Sequence, residues 1–442
     1  MTALFDATFA RGGAAMAVSD AAWFDALLDV EAALARAAAA TGLVPMTAAD
    51  AVTAACDEPA GLDLATVVAK AADAGNPVPP LVQVLRAAVG ERDAVAVHVG
   101  ATSQDVMDTA LMLLARRALA AIRTELAAAA DAAAGLARAH RDDVIMGRTL
   151  MQQALPTTFG LTAAGWLTGL DGARARLHAV DRSLPVQYGG AVGTLAASGG
   201  AGVDLRAALA AELGLATTPV AWHTVRLPIA DLAGALGATA GVLATIALDV
   251  VLLAQTEVGE VAEGGGEGRG GSSAMPHKHN PVAAISARAC ARRAPGLVAT
   301  LMGAMEQEYE RAAGAWHSEW PTLTALLSTV GSAAAWLTES LSGLRPDADR
   351  MAATVAAARD PELAGALADA LTPTLGRGAA HDAAADAVRE AAATGRPLAE
   401  VVAARTDVDL SMLSGSGPDV GEAGVQVDAA LAEHATAMRR MS

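Results

Sequence analysis

Leu111, Leu114, Ala118, Ile122 and Leu126 recur at steps of three and four residues, so they fall on one face of a helix that follows Asp108. Similar long periodic runs extend through 156–177, 229–261 and 282–316. Pro295 is expected to bend the last of these, because a proline inside a helix removes a donor and crowds the preceding turn. Shorter and more polar helical patterns occupy the chain before about residue 100 and after about residue 345, where Arg345-Pro346-Asp347 reads as a turn. The expected fold class is therefore all-α, built around a central bundle of long helices. The boundaries divide it into an N-terminal helical domain at 1–108, a central bundle at 109–344 and a C-terminal helical domain at 345–442.

Within the central region, no charged residue interrupts the run from Leu232 to Leu248, which is about the lower limit for crossing a bilayer. Asp231 and Asp249 close it, and Glu257 and Glu260 follow, so a helix buried in protein is expected rather than a membrane span. One chain has too few partners to cover so apolar a helix on every side, and self-association would complete its burial.

Composition sharpens this picture. Alanine dominates and aromatic residues make up only 3%, which favours helix over sheet. A formal net charge of −17 opposes binding to nucleic acid, so an anionic substrate would have to meet a local cationic pocket. Cys56 and Cys290 form no framework and have no metal-ligand spacing, and the first residues lack the pattern of a secretory leader, so a reducing cytoplasm is expected. The histidines are scattered without the pairing that metal binding favours, and Gly189-Gly-Ala-Val-Gly193 follows no clear strand. No cofactor and no metal are expected.

The candidate chemistry lies in three segments. Glu263-Gly-Gly-Gly-Glu-Gly-Arg-Gly270 precedes Gly271-Ser-Ser-Ala-Met-Pro-His-Lys-His-Asn-Pro281, a glycine-dense loop carrying two hydroxyls and a lysine. Asn280 would cap the helix that follows and Pro281 would open it. His98-Val-Gly-Ala-Thr-Ser-Gln-Asp105 gathers hydroxyl, amide and carboxylate groups just before a helix, where free N–H groups suit an anion. Gly147-Arg-Thr-Leu-Met-Gln-Gln-Ala154 reads as a polar turn before a further helix that starts near Pro156.

In order and spacing these segments resemble the three signature regions of the fumarase/aspartase superfamily, whose last region reads GSSxMPxKxNP. Its members add or eliminate groups across the Cα–Cβ bond of a carboxylate. The chain is most similar to the bacterial cycloisomerase branch, on Ala74-Gly-Asn-Pro77, Gln187-Tyr-Gly-Gly-Ala-Val-Gly-Thr194, Trp222-His-Thr224 and Arg311-Ala-Ala-Gly-Ala-Trp-His-Ser-Glu-Trp320. The resemblance implies an all-α three-domain subunit and a homotetramer whose active sites each draw the three regions from different subunits. It also implies closure of 3-carboxy-cis,cis-muconate to 4-carboxymuconolactone in protocatechuate breakdown.

By the same resemblance Ser272 transfers the proton and Lys278 holds the enediolate carboxylate, while Thr102, Ser103, Gln104, Thr149, Gln152 and Asn280 contact substrate. Arg148 and Arg226 would supply charge, and His98 would touch substrate. His223 and His317 are either site residues or buried structural histidines, and His277 and His279 position the loop. Most lyases of the superfamily carry histidine where this chain has Leu150. Expelling an amine or hydroxide benefits from that proton donor, whereas lactone opening expels a carboxylate that is stable unprotonated. The runner-up is a fumarate-releasing lyase acting on a substituted succinate of the adenylosuccinate kind. A non-catalytic role of the crystallin type conflicts with the intact Ser272, Lys278 and Asn280.

Overall fold

In the computed structural model the described residues are 4–264, 270, 271, 275, 278–357, 360–405 and 418–441. After two single-turn helices the elements run α1 (Asp20–Ala40), α2 (Met46–Asp57), α3 (Leu64–Ala74), α4 (Val78–Asp93), α5 (Ser103–Ala139), β1 (Val144–Thr149), β2 (Gln152–Thr158), α6 (Phe159–Asp181), α7 (Gly202–Leu213) and α8 (Leu227–Leu253). They continue as β3 (Val261–Glu263), α9 (Val282–Ala291), α10 (Ala294–Gly303), α11 (Ala315–Ser342), β4 (Leu344–Pro346), α12 (Ala348–Ala357), α13 (Asp360–Leu375), α14 (Arg377–Thr394), α15 (Leu398–Arg405) and α16 (Ala423–Met441). The all-α expectation holds, because the described strands form only two two-stranded antiparallel ladders, β1 with β2 and β3 with β4.

Contacts group the chain into two compact units, 1–128 with 172–248 and 283–339, and 129–171 with 249–282 and 340–442. In the first, α1 packs on α2 and α7, and α4 packs on α2 and α3. The periodic face read from the sequence is the buried one: Leu111, Leu114, Ala118, Ile122 and Leu126 are at most 1% exposed. In the second, α12 packs on β1, and α13, α14 and α15 enclose a core of Leu367, Leu371, Ala380, Ala384, Leu398 and Val401. There α16 is anchored by His434, whose ring bonds Asp171 at 2.8 Å and Asp131 at 3.2 Å, and by a two-pronged Arg141–Asp428 pair.

Four local expectations change. Helix α5 starts at Ser103, ahead of Asp108, because Asp105 reaches back to accept the Thr102 N–H at 3.0 Å, one half of a capping box. Pro156 lies in β2, and α6 begins at Phe159, where the Thr158 hydroxyl accepts the Leu161 N–H at 3.1 Å. The run at 282–316 comprises α9, α10 and the start of α11, with Pro295 in the first turn of α10, where its missing N–H costs nothing. Helix α1 is neither short nor polar: its 21 residues bury Leu27, Leu28, Leu34 and, unexpectedly for a carboxylate, Glu31.

Candidate active site

The amino end of α5 organises the first unit. Asp105 spends both carboxylate oxygens: Oδ1 meets the His223 Nε2 at 2.7 Å and the Gly189 N–H at 3.1 Å, while Oδ2 accepts the Gly190 N–H at 2.9 Å and the Thr102 N–H. Gly189 is obligatory, since a Cβ there would lie 2.5 Å from the Ala221 Cβ. The Gln187-Tyr-Gly-Gly and Trp222-His-Thr segments therefore form a cradle around the start of α5.

One turn on, Asp108 is 1% exposed and pairs with a guanidinium equally buried, Arg226, through Nη1 at 2.8 Å and Nη2 at 3.0 Å. Arg226 turns its other edge to Glu319, at 3.1 Å from Nε and 2.6 Å from Nη2. Asp108 also accepts Trp316 Nε1 at 2.9 Å, Gln187 Nε2 at 3.2 Å and Gln104 Nε2 at 3.1 Å. Burial alone would raise the Asp108 carboxyl, but the charge and hydrogen bonds of Arg226 outweigh it and hold the carboxyl below its usual range. For Glu319 burial dominates and the carboxyl moves up.

The network fixes Gln104. Its NH2 donates to Asp108 and, at 2.8 Å, to the His223 carbonyl, so its carbonyl oxygen faces outward, where Arg311 Nη1 donates to it at 3.2 Å. Arg311 Nη2 donates to the Thr102 hydroxyl. Among the described residues Arg311 makes no ion pair, and desolvation draws its guanidinium down against the opposing pull of Asp105 and Asp108. A half-buried arginine whose hydrogen bonds among the described residues go to neutral oxygens, beside a helix amino end, is a ready receiver for a carboxylate.

The second unit carries the other two segments. Strands β1 and β2 are joined by Leu150-Met151, both at positive φ (51° and 67°), the geometry a two-residue hairpin turn demands. Leu150 is 97% exposed and Met151 69%, an apolar tip that costs about 1–3 kcal/mol per left-handed residue. At its base Arg148 grips the buried Glu260 with both prongs, at 2.8 Å and 3.0 Å, while Thr149 and Gln152 are exposed. In the glycine-rich loop the Asn280 backbone N–H and side-chain NH2 both donate to the Gly270 carbonyl, at 2.8 Å and 3.0 Å, and Gly271 bridges His279. A Cβ on Gly270 would sit 2.5 Å from the Asn280 carbonyl oxygen, so the loop closes only on glycine. Helix α9 begins at Val282, one residue later than expected, and Lys278 is exposed.

The structure thus gathers His98, Thr102, Ser103, Gln104 and Arg226 in the first unit, and Arg148, Thr149, Gln152, Lys278 and Asn280 in the second. Ser272 and His277 lie outside the described residues. Arg226 is enclosed by its two carboxylates, and the cation presented beside Thr102 is Arg311, from the Arg311–Trp320 segment and not among the expected site residues. His223 is buried against Asp105, whereas His317 is exposed beside Trp316 and Trp320. No cluster of metal-ligating side chains occurs among the described residues.

A family model described as a lyase matches residues 10–296. The chain is 44% identical to a 3-carboxy-cis,cis-muconate cycloisomerase of Pseudomonas aeruginosa over 98% of this chain and 96% of that one. It is 46% identical to a nitrosuccinate lyase of Streptomyces davaonensis over 89% of this chain and 85% of that one. The 3-carboxy-cis,cis-muconate lactonizing enzyme of Pseudomonas putida superposes with a TM-score of 0.88 at 38% identity, covering 98% of this chain and 99% of that one. The signature segments, the all-α architecture and these likenesses agree: the chain belongs to the fumarase/aspartase superfamily of lyases.

Proposed function

We propose that the chain closes 3-carboxy-cis,cis-muconate to 4-carboxymuconolactone in the cytoplasmic breakdown of protocatechuate. The observation that carries this reading is the Arg311–Thr102–Gln104 cluster at the amino end of α5, a built receptor for a carboxylate in a chain 44% identical to a cycloisomerase over 98% of its length. In the forward reaction a substrate carboxylate oxygen attacks an alkene carbon, and the charge that develops next to it spreads into another carboxylate as an enediolate. Cations and N–H donors fixed beforehand stabilise that charge. Arg311 anchors one carboxylate, Lys278 holds the enediolate, and Ser272 delivers the proton, activated by desolvation and the nearby cation.

Assembly completes the site in this reading. The strained, exposed Leu150-Met151 tip and the α8 helix, only 39% of whose most apolar stretch is buried within the chain, both favour a homotetramer in which regions from different subunits meet. In wild type, muconate absorbance should fall on mixing with 3-carboxy-cis,cis-muconate. Ser272→Ala should cut turnover about a hundredfold or more with substrate affinity and assembly retained, the scale of a lost proton-transfer group. Near-normal turnover in that variant would move the role elsewhere.

The Streptomyces likeness favours one second reading. Elimination from a nitrosuccinate would expel nitrite, an anion that, like carboxylate, leaves without protonation. Leu150 in place of a proton donor therefore opposes amine-releasing lyases but accommodates both of these reactions.

A further inference from the structure

Glu31 in α1 is 0% exposed, yet among the described residues it has no lysine or arginine partner. Its carboxylate is spent on a single residue: Oε2 accepts the His98 backbone N–H at 3.0 Å and Oε1 meets the His98 Nδ1 at 2.7 Å. His98 sits at φ +60°, a left-handed conformation that a histidine keeps only when its surroundings hold it. The chain beyond is equally fixed. The Val99 carbonyl accepts the Tyr188 hydroxyl at 3.1 Å, and Gly100, at φ +64°, leaves no room for a Cβ, which would lie 2.6 Å from the Tyr188 oxygen. The pinned loop runs straight into Thr102 and the start of α5.

A carboxylate removed from water requires a cation, and the group in contact with Glu31 is the imidazole. With Nδ1–H given to Glu31, the other ring nitrogen has no hydrogen-bond partner among the described residues, and the side chain keeps 16% exposure. Titratable groups face this pair from three helices. Asp105 of α5 favours the imidazolium, Arg86 of α4 opposes it, and Cys56 of α2 stays a neutral thiol, pushed up to about 12 by burial and by Glu31. Burial works to lower the imidazole, but the Glu31 hydrogen bond and charge, with Asp105, prevail and raise it.

We infer that Glu31 is a positioning residue that locks His98 as an imidazolium, with its Nε2–H aimed to bind a substrate carboxylate next to Thr102 and Arg311. This rests on the reading above, in which the start of α5 receives a carboxylate. A raised imidazole keeps its charge to higher pH than an ordinary histidine does. With glutamine at 31, burial acts without its counter-charge, and the loss moves to lower pH.

The test is a pH series of KM and kcat for wild type, Glu31→Gln and His98→Gln, alongside a substrate-free NMR titration of histidine ring nitrogens in which His98→Gln identifies the His98 signal. The Glu31→Gln KM should match wild type near pH 5.5 and rise about tenfold by pH 8, with kcat little changed, and the His98 titration should fall by about one unit or more. His98→Gln should show a raised KM without that pH-dependent rise. A Glu31→Gln KM profile parallel to wild type, or a wild-type His98 titrating at or below about 6.5, would overturn the assignment, and the second outcome does not depend on Glu31→Gln folding. If carboxymuconate is not consumed at all, the proposed function fails while the titration still judges the Glu31–His98 pair.

Discussion

Arg311→Met should lower kcat/KM for lactonisation by about a hundred- to a thousandfold while the protein folds and assembles normally. The guanidinium donates to the Thr102 hydroxyl and the Gln104 carbonyl, has no carboxylate partner among the described residues, and is half-buried. Truncating one partner of a buried, hydrogen-bonded charge pair, here the anchor of a substrate carboxylate, costs about 2–5 kcal/mol. The same loss costs the fold little, because Thr102 and Gln104 keep their bonds to Asp105 and Asp108. Arg311→Lys should fall between the two, since an ammonium keeps the charge but not the planar fork. Steady-state kinetics checks this, and circular dichroism confirms the fold. Because Arg311 and Ser272 would serve one site from different subunits, mixing Arg311→Met with Ser272→Ala and allowing exchange should restore activity that neither variant has alone.

Asp108→Ala is expected to have the largest effect on stability, about 3–5 kcal/mol, the cost of leaving a buried guanidinium short of a partner. Arg226 would keep Glu319, but Trp316, Gln187 and Gln104 would each lose an acceptor in a region closed to water. Urea unfolding at fixed protein concentration measures it, and a change under about 1 kcal/mol would show that the network does not hold this end of the bundle. Asp108→Asn should cost less, since an amide oxygen still accepts.

The long-helix architecture was readable because α5 declares its buried face through Leu111, Leu114, Ala118, Ile122 and Leu126. The β1–β2 hairpin was not. A register shift between Met146 and Arg148 breaks the two-residue alternation, and Leu150-Met151 offers neither the glycine nor the asparagine that marks a two-residue turn. Asp105 announced itself in a cluster ahead of a helix, but the partners that give it meaning, Gly189, Gly190 and His223, arrive only through tertiary contacts. Arg311 was hidden for the same reason: 209 residues separate it from Thr102. Glu31 was hidden by context, since one of four acids in an alanine-rich helix, with Asp20, Asp25 and Asp29, reads as part of its wet face until the fold buries it against His98.

The site directs its chemistry to ring closure, in which a substrate carboxylate attacks the alkene and no leaving group calls for an acid. The most direct measurement compares kcat/KM of the wild-type protein for 3-carboxy-cis,cis-muconate with that for nitrosuccinate and adenylosuccinate, following loss of muconate absorbance and appearance of fumarate in parallel. Lactonisation is expected at about 10⁴ M⁻¹s⁻¹ or faster, within the ordinary range for an enzyme on its own substrate, and at least about tenfold above either elimination. Muconate absorbance that persists while fumarate accumulates from nitrosuccinate or adenylosuccinate would contradict it.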